Sequence, residues 1–188
     1  MTDTSSKPSP PVCVLCAPSL LMIVTVHAKD IIYWDLVNGE IIKKVSDFSN
    51  SEVVCASLDD RERKLIAGLS DGFIVVFNCL NGAQLRAYGP LPFAIRLLIY
   101  TPDKTIICIA GTGDLHVFDD LVPDDGIPDA NLREFRGHDS DVISIAYSHN
   151  LGLIATSDVK GTVIVWDYQF LSIEIMIKDY GGMDIGYT

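Results

Sequence analysis

Gly161 to Asp167 reads GTVIVWD, and Lys29 to Asp35 reads KDIIYWD. Both are short apolar runs that close on a Trp-Asp pair. One pattern written twice makes an internal repeat the first thing to test, because a fixed period decides the whole architecture. The aromatic closers serve as markers: Trp34 in IIYWD, Phe77 in IVVFN, Phe118 in LHVFD and Trp166 in VIVWD. They stand 43, 41 and 48 residues apart. The longest gap has a visible cause, the insertion DDLVPDDGIPDAN, Asp119 to Asn131.

A period of about 40 to 45 residues is that of four-stranded propeller blades. After Trp34 comes LVNG and then EIIKKV, and after Phe77 comes CLNG and then AQLRAY. Asn-Gly between apolar runs is the strongest short hairpin signal. The spacing predicts strands near 11–16, 20–26, 30–35 and 40–46, then 52–58, 64–69, 73–78 and 83–88. The third unit follows near 93–100, 105–110, 114–118 and 131–136, and the fourth near 141–147, 152–157, 162–167 and 170–177. No stretch sustains a 3.6-residue period, so the chain reads as all-β.

Charge narrows the function classes. Fourteen basic residues against 25 acidic ones give a net charge of −11 in 188 residues, which repels phosphate backbones and argues against nucleic acid. The uncharged run Pro8 to Val26 is a poor membrane segment, since Pro18 and Ser19 interrupt it and its β-branched residues suit strands. With MTDTSSK as its opening, the chain reads as having neither leader nor anchor, and as cytoplasmic. Five cysteines, Cys13, Cys16, Cys55, Cys79 and Cys108, lie in apolar segments and read as small core residues. Cys13 and Cys16 form a C-x-x-C, but no second ligand pair completes a zinc site. No phosphate loop, G-x-S-x-G elbow or H-E-x-x-H is present, so no cofactor, metal or catalytic group is expected.

The segment RGHDSDVISIAYSHNLGLIATSDVKGTVIVWD, Arg136 to Asp167, resembles a repeat of the WD family: a Gly-His pair, an alternating strand, LIATS, a Gly-Thr turn and Trp-Asp. The resemblance extends more weakly over residues 11 to 178. It implies a β-propeller and a buried hydrogen-bonded tetrad. The members carried over are His138, Thr156 or Ser157, and Trp166. The turn position where the family holds Asp is Lys160, with Asp158 the nearby carboxylate, while in the second unit Asp71 occupies the expected place. The role implied is structural, for a catalytic His138 would need a nucleophile that the repeat does not supply. Leu58 to Arg86 further resembles the phrasing of WD-repeat proteins of the ciliary or flagellar axoneme.

The expected organisation is a disordered arm over 1–10, four units near 11–46, 52–88, 93–136 and 141–177, and a tail at 179–188 that starts an incomplete fifth unit or simply ends. WD propellers close with more blades than this. Two bare blade faces of ~400 Å² each forgo up to ~20 kcal/mol at ~25 cal/mol per Å². Such a half-ring calls for another chain or for further sequence. Candidate partner-contact loops are the basic turn with Arg61, Arg63 and Lys64 and the acidic insertion with Asp119, Asp120, Asp124, Asp125 and Asp129. The insertion lacks the ligand spacing of an EF-hand loop. The function these features imply is a non-catalytic scaffold for protein partners in a cytoskeletal or axonemal assembly, with direct tubulin contact disfavoured by charge. A soluble adaptor for a ubiquitin ligase or signalling complex is the alternative.

Overall fold

A computed structural model describes residues 9–111, 113–120, 133–170 and 172–178. The expectations for residues 1–8, for Asp124, Asp125 and Asp129, and for the 179–188 tail lie outside the described residues.

Among the described residues sixteen strands form four separate antiparallel sheets of four, with the strands of each sheet neighbouring in sequence order. The first holds β1 (Cys13–Ala17), β2 (Met22–Val26), β3 (Ile31–Asp35) and β4 (Ile41–Val45). The second holds β5 (Val53–Leu58), β6 (Lys64–Leu69), β7 (Ile74–Asn78) and β8 (Gln84–Tyr88). The third holds β9 (Ile95–Tyr100), β10 (Thr105–Ala110), β11 (Asp114–Asp119) and β12 (Arg133–Phe135). The fourth holds β13 (Val142–Ser148), β14 (Leu153–Asp158), β15 (Val163–Asp167) and β16 (Ile173–Ile177). Each sheet is a propeller blade.

Composition follows position within the stack. In the inner blades the second and third strands are covered on both faces, so KLIAGL and TIICIA run apolar without alternation and are almost wholly buried. The outermost strands, β4 and β16, are mostly exposed and contribute little to any core.

The turns explain the polar half of the Trp-Asp pair. Asp35 Oδ1 accepts the amides of Val37 and Asn38, Asn78 Oδ1 accepts those of Leu80 and Asn81, and Asp167 Oδ1 accepts that of Phe170. In the first, second and fourth blades the residue after the aromatic closer thus caps the hairpin that leads to the fourth strand. At the other hairpin, between first and second strands, each blade has a left-handed residue whose amide closes the turn on the carbonyl three residues back: Leu21 (φ 51°), Glu62 (57°), Lys104 (68°) and Gly152 (62°).

Three apolar clusters join the blades in series. The first packs Val24, Val26, Ile31 and Tyr33 against Val53, Leu65, Ala67 and Phe77. The second packs Ile66, Ile74 and Val76 against Ile106, Cys108 and Phe118, and the third packs Ile107, Ile109, Leu115 and Val117 against Ile154, Ile164 and Trp166. One rule covers all three: the face carrying a blade's aromatic closer is covered by the opposite face of the preceding blade. Among the described residues no cluster joins the fourth blade to the first, and the ring they form is open.

Candidate functional site

The rule leaves one face of each terminal blade open, and the two faces differ. On the first blade it is the closer face. Strand register aligns Val14, Thr25 and Ile32 in one row and Cys16, Ile23 and Trp34 in the next. On the fourth blade it is the opposite face, with rows Ala146, Ala155, Val165, Ile175 and Ser144, Ser157, Val163, Ile177. Val14, Ile175 and Ile177 are each more than half exposed. One open face has the character of a covered closer face, and the other that of the faces that cover them.

Within the fourth blade the tetrad residues form one connected chain. The Trp166 indole can only donate, and it donates to Thr156 Oγ1 at 2.8 Å. The Thr156 hydroxyl meets His138 Nε2 at 2.7 Å and the Ile164 carbonyl at 3.4 Å. The Asp158 carboxylate can only accept, so His138 Nδ1–H donates to Asp158 Oδ2 at 3.0 Å. The amides of Lys160 and Thr162 donate to Asp158 Oδ1 at 3.0 and 2.9 Å. Burial alone would raise the Asp158 carboxyl, but the His138 and backbone donors overcome it and hold the acid well below the usual carboxylate range.

These contacts separate the alternatives left by the sequence. Thr156 faces the closer and Ser157, its neighbour on a pleated strand, faces the opposite side. The carboxylate partner of His138 is Asp158, at the end of β14, not a residue at the Lys160 position. Lys160 instead contacts Asp139 at the surface. In the second blade Asp71, at the place corresponding to Lys160, is exposed and bonds the Ser51 hydroxyl and the Phe73 amide.

The other blades vary this chain. In the first, Trp34 Nε1 donates to Thr25 Oγ1 at 2.9 Å, Thr25 contacts His27 Nε2 at 3.2 Å, and His27 Nδ1 reaches the Ser9 carbonyl. Thr25 and His27 were missed in the sequence, although their spacing equals that of Thr156 and Asp158. In the second blade the corresponding positions are Ala67, Leu69 and Phe77, and the Phe48 ring meets Phe77 edge-on at 4.9 Å. In the third they are Cys108, Ala110 and Phe118, with Tyr88 packed on Phe118 at 5.5 Å. Burial pushes the Cys108 thiol well up, as it does Cys55, raised to about 12, and Cys79, to about 11. These thiols are inert core groups.

Two expected surface contacts are corrected. Lys64 and Asp120 do not present a loop to solvent; they meet each other at 2.5 Å between the second and third blades. The Asp120 side chain is fully buried and also accepts from Tyr88 (2.5 Å), Tyr100 (2.7 Å) and Arg86 (3.4 Å). Burial raises its carboxyl, yet the Lys64, Tyr88 and Tyr100 donors outweigh that and lower it. Asp120 follows the third strand of its blade, two residues after the closer Phe118, and so points at the preceding blade. The amides of Leu36, Cys79, Asp120 and Tyr168 occupy one repeated position, donating to the carbonyls of Leu21, Arg63, Lys104 and Gly152. Arg61 and Arg63 are exposed, and Asp119 is partly buried.

Comparison with known proteins agrees with this geometry. The profile described as WD domain, G-beta repeat, matches residues 130–167. The chain is 33% identical over 76 residues to the cilia- and flagella-associated protein 337 B of Tetrahymena thermophila, covering 40% of this chain and 6% of that one. It is 28% identical over 110 residues to the target of rapamycin complex subunit wat1 of Schizosaccharomyces pombe, covering 58% and 34%. It is 27% identical over 146 residues to WD repeat and SOCS box-containing protein 1 of Xenopus tropicalis, covering 76% and 33%. The chain therefore spans about a third or less of the length of these relatives. Among solved structures, the computationally designed Ika4 protein superposes with a TM-score of 0.67 at 21% identity, over 87% of this chain and 94% of that one. A chain of the mitotic checkpoint complex gives 0.70 at 16% identity, over 94% and 57%. At such identities the two structures speak for the fold alone. A WD-domain profile match on the fourth blade, with the same packing rule at every blade junction, makes the fold an open, partial β-propeller that carries a WD repeat at residues 130–167.

Proposed function

We propose that the chain is a non-catalytic scaffold for protein partners, part of a cytoskeletal or axonemal assembly, with its ring completed by another chain or by further blades of a longer polypeptide. The observation that carries this reading is the use made of its reactive side chains. His138 and Asp158 are spent on one another and on Thr156, which locks strand register and leaves no general base beside a cleft. What the blades offer instead is two complementary open sheet faces. The candidate contact loops are the exposed Arg61 and Arg63 and the insertion that begins at Asp119. Similarity to a cilia- and flagella-associated protein supports the axonemal assignment. The acidic charge favours docking on other proteins over tubulin's own acidic surface.

The second reading, an adaptor for a ubiquitin ligase or signalling complex, is favoured by similarity to a SOCS box-containing protein and to a target of rapamycin complex subunit. Affinity purification of the tagged chain from ciliated cells separates the two. Retention with salt-extracted axonemes supports the first, and a ligase or kinase core in the soluble fraction supports the second.

A further inference from the structure

The left-handed residue that closes each first hairpin turn has a second role. In the second blade its side chain reaches back: Glu62 Oε2 accepts the Ser19 amide of the first blade at 2.9 Å. In the third blade the Lys104 ammonium meets Asp60 of the second, and sits 5.7 Å from the centre of the Tyr100 ring. The fourth blade has Gly152 at this position and sends no side chain back. At that junction a cavity of about 420 Å³ opens, bordered by Asp103, Tyr147, His149, Gly152, Asp167 and Tyr168.

The walls are suited to a cation. The Tyr147 and Tyr168 rings stand 5.1 Å apart at 57°, and Tyr168 is held from behind by a 3.3 Å contact to Thr101 of the third blade. Burial and then the nearby Asp103 charge raise the Tyr147 phenol, in keeping with a carboxylate close to that ring. Asp167 uses Oδ1 on the Phe170 amide, which leaves its other oxygen to a ligand. Phenol faces and carboxylates together attract an ammonium or guanidinium. Anions are repelled by the same carboxylates, and among the described residues no group of three ligating side chains is placed to hold a metal ion.

We propose that this cavity binds a basic side chain, a lysine ammonium or an arginine guanidinium, in the place that Lys104 fills one junction earlier. The molecule contains its own precedent, since Asp60 and Tyr100 hold the Lys104 ammonium by the same two kinds of contact. That the cation arrives on a protein rests on the scaffold reading. That the cavity takes a cation does not.

The test is an amide chemical-shift titration of the full 188-residue chain with the N-acetyl methylamides of lysine, arginine and norleucine. The lysine and arginine probes should produce saturable shifts at Asp103, Gly152 and Tyr168, with Kd on the order of 1 mM, and norleucine none. D103N should weaken binding about two- to fivefold, in line with loss of one exposed ion pair. G152K should abolish it by supplying the ammonium in cis, at a backbone conformation that Lys104 already adopts and with open space around the new Cβ. Equal shifts with norleucine, absence of saturation with both basic probes, or an unchanged Kd in D103N would overturn the proposal. Should G152K fail to fold, D103N alone decides, because Asp103 is an exposed turn residue. Co-purification of protein partners is read separately, so either proposal can fail without the other.

Discussion

His138 Nδ1 and Asp158 Oδ2 lie 3.0 Å apart with both side chains almost fully excluded from solvent. Removing the carboxylate strands the imidazole and two turn amides together. Asp158→Ala should cost about 3 kcal/mol and Asp158→Asn about 1 kcal/mol, since the amide still accepts. Urea unfolding at pH 7 measures both.

The depressed acids Asp158 and Asp120 also set the pH response. A carboxyl whose folded value lies below its unfolded one stabilises above the unfolded value, and that stabilisation is lost as pH falls toward the folded value. Stability should therefore decline from about pH 4 downward, near the ordinary aspartate range. Asp158→Asn should flatten this slope, as read from urea midpoints across the acid range.

Asp120 joins Lys64, Arg86, Tyr88 and Tyr100 across one blade junction. Asp120→Ala should destabilise by about 3 kcal/mol, because two cations and two phenols lose their common acceptor, and Tyr100→Phe by about 1 kcal/mol. Native-state hydrogen exchange should show the loss first in β8 and β9. A loss confined to the blade edges would argue against this assignment.

Thr156 and Ala67 occupy the same repeat position with opposite chemistry. Thr156→Val removes the acceptor of the Trp166 indole and the hydroxyl partner of His138, at a cost of about 2 kcal/mol. Ala67→Thr places a hydroxyl among Leu69, Phe77 and Phe48, at a cost of about 1 to 3 kcal/mol. Thermal unfolding of both variants checks that the blades are not interchangeable.

Gly68 lies at a close approach of the second and third blades. A Cβ there would lie 2.5 Å from Ile95 Cγ2 and 2.7 Å from Cys55 Sγ. Gly68→Ala should destabilise by about 1 to 3 kcal/mol through overpacking, and the same substitution should cost less in an Ile95→Ala background, which lacks the Cγ2 methyl.

The strands were legible because period-2 patterning and Asn-Gly turns are local signals, and the closers kept register even where Trp had become Phe77 or Phe118. Polar pairing was less so. Asp158 was a candidate, but the family's turn position pointed two residues on, to Lys160, and the pleat that decides between Thr156 and Ser157 needs the register. The Thr25 and His27 pair could have been found by carrying the Thr156-to-Asp158 spacing to the first blade. The Asp120 cluster could not, because its five members come from three different strands and their flanks, and only blade-on-blade packing brings them together.

The central claim is that these blades need a complementary sheet on their two open faces, and sedimentation equilibrium of the 188-residue chain with parallel dye binding to exposed apolar surface tests it most directly. The account predicts either a species of higher mass than the 20.6 kDa chain, or a monomer that binds the dye strongly. A stable 20.6 kDa monomer that binds no dye would contradict it.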